Sequence, residues 1–108
     1  MLEAEFFVLD SGDIVGFDIS GHSEYAEFGK DIVCAAVSSA AYMVINTITD
    51  VIGASADVTV SDNTGHMRAI INKKDALACN DILKGFKMHL LLLEEIYSPN
   101  IKVSYVEV

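Results

Sequence analysis

The residues best placed to do chemistry in this sequence are His22 and Cys34, twelve positions apart. An imidazole beside a thiol makes an activated nucleophile. The ring takes the thiol proton and later returns it to a leaving group. Cys34 falls in the first turn of an expected helix, where unpaired N–H groups carry partial positive charge that stabilises a thiolate. Set between Val33 and Ala35, it also reads as a small, inert core residue. His22 lies in a loop bracketed by Gly21 and Gly29. Gly21 permits a strained approach to the helix start, and Gly29 permits a hinge. On spacing alone the pair is weak evidence, because a lone histidine in a turn is more often merely exposed.

Other side chains cluster around this pair in sequence. Asp31 stands three residues before Cys34. It has two readings: a carboxylate that orients His22, or an ordinary helix cap and dipole partner. Ser38, one turn after Cys34, either meets a substrate or bonds back to the carbonyl of Cys34, and the second is favoured. The first-turn amides near Cys34 are candidate oxyanion donors. Cys79 falls on the apolar stripe of a second helix and reads as core. His66 and His89 have no metal-ligand spacing to any Cys, Asp or Glu, so no metal site is expected. There is no phosphate loop, dinucleotide fingerprint or serine elbow.

The elements that must position these residues follow from periodicity. Glu3 to Leu9 and Ile14 to Ile19 read as strands of a hairpin turned by Asp10-Ser11-Gly12-Asp13. A long helix is expected over Asp31 to Ile52, closed by Gly53. Asp57 to Val60 and Met67 to Ile71 make a second hairpin around residues 61–65. A second helix over Asp75 to Tyr97 carries Cys79, Leu83, Phe86, Leu90, Leu93 and Tyr97 on one face. Ser98-Pro99-Asn100 stops it. Ile101 to Val108 alternates as a last strand. The order is ββαββαβ: an α+β fold with a five-stranded sheet and two long helices packed on it. The two ββα halves suggest a structural repeat.

The first helix is apolar or small nearly all round between Ile32 and Ile48. A membrane span is set aside because Ser38, Ser39, Asn46 and Thr47 interrupt the run, and Asp31 and Asp50 flank it. Such a helix is expected to be buried on all sides. One sheet covers only one side, so the second helix and a second copy of the chain must cover the rest. A homodimer is expected.

Composition bounds the function. One hundred and eight residues, 52% of them apolar, make a single domain, 1–108, with a real core. Seven basic residues against sixteen acidic ones give a net charge of −9. A chain this acidic lacks the cations that displace phosphate counterions, so nucleic acid is not an expected partner. Seven of those nine net charges fall in residues 1–31, where eight acids face Lys30 alone. That field attracts basic partners. The start Met1-Leu2-Glu3 is not that of a signal peptide, and two cysteines are too few for a disulfide scaffold. A reduced, cytoplasmic setting is expected, with no cofactor and no membrane partner.

The run from Gly21 to Ser38, GHSEYAEFGKDIVCAAVS, resembles the signature of the ribosomal-processing cysteine protease family, Prp. The family pattern is G-H-A, then Y-A-E, a glycine, and D-I-V-C-A-A-V-S. Ser23 replaces the usual alanine. Length, element order and the late Gly85, Tyr97 and Pro99 also fit. The resemblance implies a small bacterial homodimer that removes the short N-terminal extension of one large-subunit ribosomal protein, the twenty-seventh in the usual numbering. It implies Cys34 as nucleophile and His22 as base, with Asp31, Gly21 and Ser38 in supporting roles. The reaction would be acyl transfer through a thioester. The extension ends in an aromatic pair, followed after the cut by a small residue and lysines. Tyr25 and Phe28 are expected to hold the aromatics, and the acidic first third to hold the lysines. The loop that includes Ser23, Glu24, Tyr25, Phe28 and Gly29 is expected to be mobile without substrate and to close upon it.

Two other readings compete. One is a non-catalytic module that holds a basic ribosomal protein during assembly. The other is a thiol redox sensor built on Cys34, disfavoured because no resolving cysteine is close in sequence.

Overall fold

The structure, a computed structural model, describes residues 1–21, 32–61 and 65–108. Leu2–Val8 (β1) and Ile14–Ser20 (β2) form the first hairpin, followed by helix α1 over Ile32–Asn46. Ala56–Ser61 (β3) and His66–Ile71 (β4) form the second, followed by helix α2 over Ala76–Tyr97 and strand β5 over Ile101–Glu107. The ββαββαβ order is therefore borne out. The strands make one mixed sheet in the order β3-β4-β2-β1-β5. The second strands of the two hairpins lie side by side at its middle, as a repeat of two ββα units would place them. β5 is added outside β1 and runs parallel to it, with Leu2 opposite Ile101.

Alternation in β1 explains its orientation: Leu2, Ala4 and Phe6 are buried while Glu3 and Glu5 are exposed. Phe6 faces Phe17 across the β1–β2 ladder. Both rings meet Phe86 of α2 edge-on, with centroids 5.7 and 4.9 Å away. Such edge contacts add about 0.5–1.5 kcal/mol each beyond burial. Cys79, Leu83, Phe86, Leu90 and Leu93 form the buried stripe of α2, as its periodicity predicts. Tyr97 is only half-buried. The Glu94 carboxylate accepts the Val103 N–H at 2.7 Å, tying α2 to β5.

The first long helix differs from expectation in two ways. It changes winding after Asn46, and Thr47–Ile52 forms a wider π-helix. Thr47 Oγ1 donates to the Met43 carbonyl at 2.8 Å and Thr49 Oγ1 to that of Ile45 at 3.0 Å. These β-branched residues crowd the helix and compete for its carbonyls. Gly53, in the left-handed region at φ 78°, ends it by donating to the Ile48 carbonyl. Second, the helix is not buried all round. Val33, Val37, Ala41, Val44, Ile45 and Ile48 enter the core, but Ile32, Tyr42, Met43, Val51 and Ile52 are exposed. Its mean hydropathy of 1.7 and its length would suffice for a membrane span. The inward stripe is instead part of the hydrophobic core.

Candidate active site

Three sequence-predicted site residues fall among the described residues: Gly21, Cys34 and Ser38. His22, Ser23, Glu24, Tyr25, Phe28, Gly29 and Asp31 lie outside them, as does the expected motion of that loop.

Cys34 is the third residue of α1, half-buried, and packs against the edge of the core. Ser38 is half-buried one turn further along, on the same face of the helix. Cys34 lies in the first described turn of α1, the end of a helix whose dipole favours negative charge. Cys79 offers a contrast. It is fully buried in α2, and burial, with a smaller contribution from Asp75, pushes its thiol up from the ordinary range. It is a core residue, as its place on the stripe predicts. Neither thiol is in a disulfide.

The registers place the site at one end of the sheet. Glu3 pairs with Ser20 and Ile19 with Met67, so the start of β1, the end of β2 and the start of β4 lie together. The far end of the α1 helix leads to Ser55, whose carbonyl accepts the Asn72 N–H just past the end of β4. A helical run of 21 residues spans about 30 Å, so the turn with Cys34 points back toward the end that holds Gly21. Gly21 adopts φ 83°, and a Cβ there would stand 2.5 Å from the Met1 carbonyl oxygen. Only glycine fits.

The sequence reading missed a charged cluster beside this end. Asp18 sits in the central strand within an apolar run and is 9% exposed. His66 Nε2 lies 2.9 and 3.0 Å from its two carboxylate oxygens. Arg68 Nη1 donates to the same carboxylate at 3.0 Å, and its guanidinium lies over the Phe7 ring. Phe17 and Met67 point toward the helices, so their neighbours Asp18, His66 and Arg68 occupy the opposite face. The detectable signal was an aspartate inside the otherwise apolar stretch Ile14 to Ile19, between Phe17 and Ile19. His89 is far from this cluster in sequence and lines an apolar cleft of about 300 Å³ between α1 and α2 with Met43, Ile82 and Phe86. Among the described residues no group of three or more His, Cys, Asp or Glu converges to hold a metal.

The sequence model of the family described as Cysteine protease Prp matches residues 1–102. The chain belongs to the Prp family. It is 30% identical over 107 residues to the ribosomal processing cysteine protease Prp of Staphylococcus aureus (strain Mu50), covering 97% of this chain and 99% of that protein. It is 22% identical over 95 residues to the Prp of Bacillus subtilis (strain 168), covering 84% and 85%. Among solved structures it resembles S. aureus Prp in complex with a covalently linked product peptide. There the TM-score is 0.90 at 28% identity, covering 98% of this chain and 100% of that one. The same protease with a substrate peptide superposes with a TM-score of 0.86 at 26% identity and the same coverage. The Prp chain described here is accordingly a cysteine protease, and the non-catalytic binding module is set aside.

Proposed function

We propose that this chain is the endopeptidase that removes the short N-terminal extension of a large-subunit ribosomal protein, the twenty-seventh in the usual numbering, through a Cys34–His22 dyad. The observation that carries the dyad's nucleophile is the contrast between the two thiols. Cys79 is sealed in the core, whereas Cys34 is half-accessible at a helix N-terminus. That the similar S. aureus enzyme holds a covalently linked product peptide supports acyl chemistry on a thiol.

In this mechanism the Cys34 thiolate attacks the scissile carbonyl, and first-turn amides of α1 stabilise the oxyanion. The C–N bond breaks as His22 protonates the leaving amine, leaving a thioester on Sγ. Water then attacks with His22 as base, releasing the carboxylate and restoring the thiol. Asp31 orients the His22 ring, Tyr25 and Phe28 hold the aromatic pair, and the acidic first third receives the lysines beyond the cut. The apolar outer surface of α1, including Tyr42 and Met43, supports a homodimer. With two cysteines and no disulfide between them, the chain needs no oxidising compartment, which fits a cytoplasmic setting.

Intact-mass spectrometry of the protein mixed with its host's extended ribosomal protein tests this reading, beside Cys34→Ala and His22→Ala. Loss of the extension with the wild type alone is expected. Cleavage that survives either substitution would exclude the dyad. Sedimentation equilibrium tests the dimer, with a monomer at micromolar concentration as the excluding result.

A further inference from the structure

We propose that Asp18, His66 and Arg68 form a clamp that acts as a positioning device for the protease reaction, holding the end of β2 from which the His22 segment departs. The inference rests on the Cys34–His22 reading above.

Three observations carry it. First, Asp18 is a nearly buried carboxylate in the central strand, and removing it from water is costly unless it is fully partnered. Both of its oxygens are engaged by His66, and one also by Arg68. Second, the clamp sits two residues before the end of β2 and directly across from the start of β4. Asp18 pairs with Arg68 in register. Third, the same strand end is held from the other side, where Gly21 fits beneath the Met1 carbonyl. The end of β2 is thus fixed by β4 on one side and by the N-terminus on the other. His22 follows Gly21 directly in the sequence, so these contacts hold the chain up to the residue before the proposed base. A displacement of about 1 Å at a catalytic group can cost a hundredfold in rate.

Charged and polar groups from three strands stand around His66 among the described residues. Asp18 of β2 and Arg68 of β4 face it, Ser61 of β3 stands opposite it, and Glu5 of β1 pairs with Asp18 from the far side. The sheet separates His66 from the core face of α1. It is therefore not offered as the base for Cys34; it acts through β2.

The test compares His66→Ala, His66→Gln and Arg68→Met with wild type on a peptide spanning the junction of the ribosomal-protein extension. Rates are expressed per Cys34 thiol of folded protein, the unfolded share being subtracted from the iodoacetamide labelling of Cys79, which only the opened chain exposes. Asp18→Asn is not used, because it removes the buried charge itself. The expected result for His66→Ala is a fall in kcat per thiol of at least about tenfold with KM little changed. The pH profile of Cys34 alkylation should also shift, and His66→Gln, which can still donate to Asp18, should recover most of the rate. A folded His66→Ala protein with wild-type kcat per thiol, or with lowered kcat but an unchanged alkylation profile, overturns the clamp. Should His66→Ala not fold, Arg68→Met decides, and unchanged kcat per thiol overturns the proposal. His22→Ala and Cys34→Ala run in the same assay separate the two failures. If they retain cleavage, the dyad falls and the clamp with it. If they abolish cleavage while the clamp variants match wild type, the clamp alone falls.

Discussion

Gly21 lies beneath Met1, so close that a Cβ at position 21 would stand 2.5 Å from the Met1 carbonyl oxygen. Its φ of 83° is the second constraint, since the left-handed region costs a non-glycine residue about 1–2 kcal/mol. Gly21→Ala therefore combines backbone strain with a contact that only movement of the N-terminus relieves. The expected loss is about 2–3 kcal/mol of stability, measured by urea denaturation, and a lower turnover per folded molecule. A variant as stable and as active as wild type would contradict this account of the strand end.

The two thiols should react very differently. Burial holds the Cys79 thiol above the ordinary range, so around pH 7.5 it is protonated as well as enclosed. Iodoacetamide should add one label to the native protein, mapping to Cys34, and two after denaturation in urea. Raising the pH toward 9 should increase labelling of Cys79 only where the protein begins to open. Rapid native labelling of Cys79 would exclude the packing described for α2.

Phe86 is the keystone of the aromatic contacts, meeting Phe6 and Phe17 from α2. Phe86→Ala deletes both contacts and opens a cavity beneath the cleft between the helices. A loss of about 3–5 kcal/mol is expected from thermal or chemical denaturation. Phe86→Leu should retain more than half of that. Equal losses for the two would mean that volume is not what matters at this position.

Glu107 supplies a pH dependence of known sign. Its carboxyl is raised chiefly by a hydrogen bond with Asp10, so the folded state holds this proton better than the unfolded chain does. Its stabilising contribution is complete at acidic pH, below the unfolded value, and is lost as pH rises through the raised folded value. Both groups are exposed, so solvent screens the effect and its size is small. Glu107→Gln should melt slightly above wild type at pH 7, with the difference shrinking below pH 4. A Glu107→Gln melting temperature below wild type at pH 7 would reverse the sign.

Much of this molecule was legible in one dimension. Alternation of two marks β1, with its buried Leu2, Ala4 and Phe6. A period near 3.6 marks α2, with its buried stripe from Cys79 to Leu93. These patterns are local, because each residue's face depends only on its neighbours in the chain. The motif from Gly21 to Ser38 was equally legible as a string and pointed to the family. The exposure of Tyr42 and Met43 on α1 was not legible, because composition cannot say how many sides of an apolar helix find a partner. Nor was the unwinding at Thr47, where hydroxyls compete with amides for the same carbonyls.

The pairing of residues far apart belongs to the tertiary structure alone. Asp18 reads as one more surface acid until β4 is laid beside β2, which brings His66 and Arg68 to it across 48 and 50 residues of chain. Strand order and register decide such meetings, and they are set by the burial of whole faces rather than by any local preference. The sequence by itself determined the elements, the acidic character and the family signature. Only the fold decided that Cys34 lies at the edge of the core rather than inside it, and that the end of β2 is held from both sides.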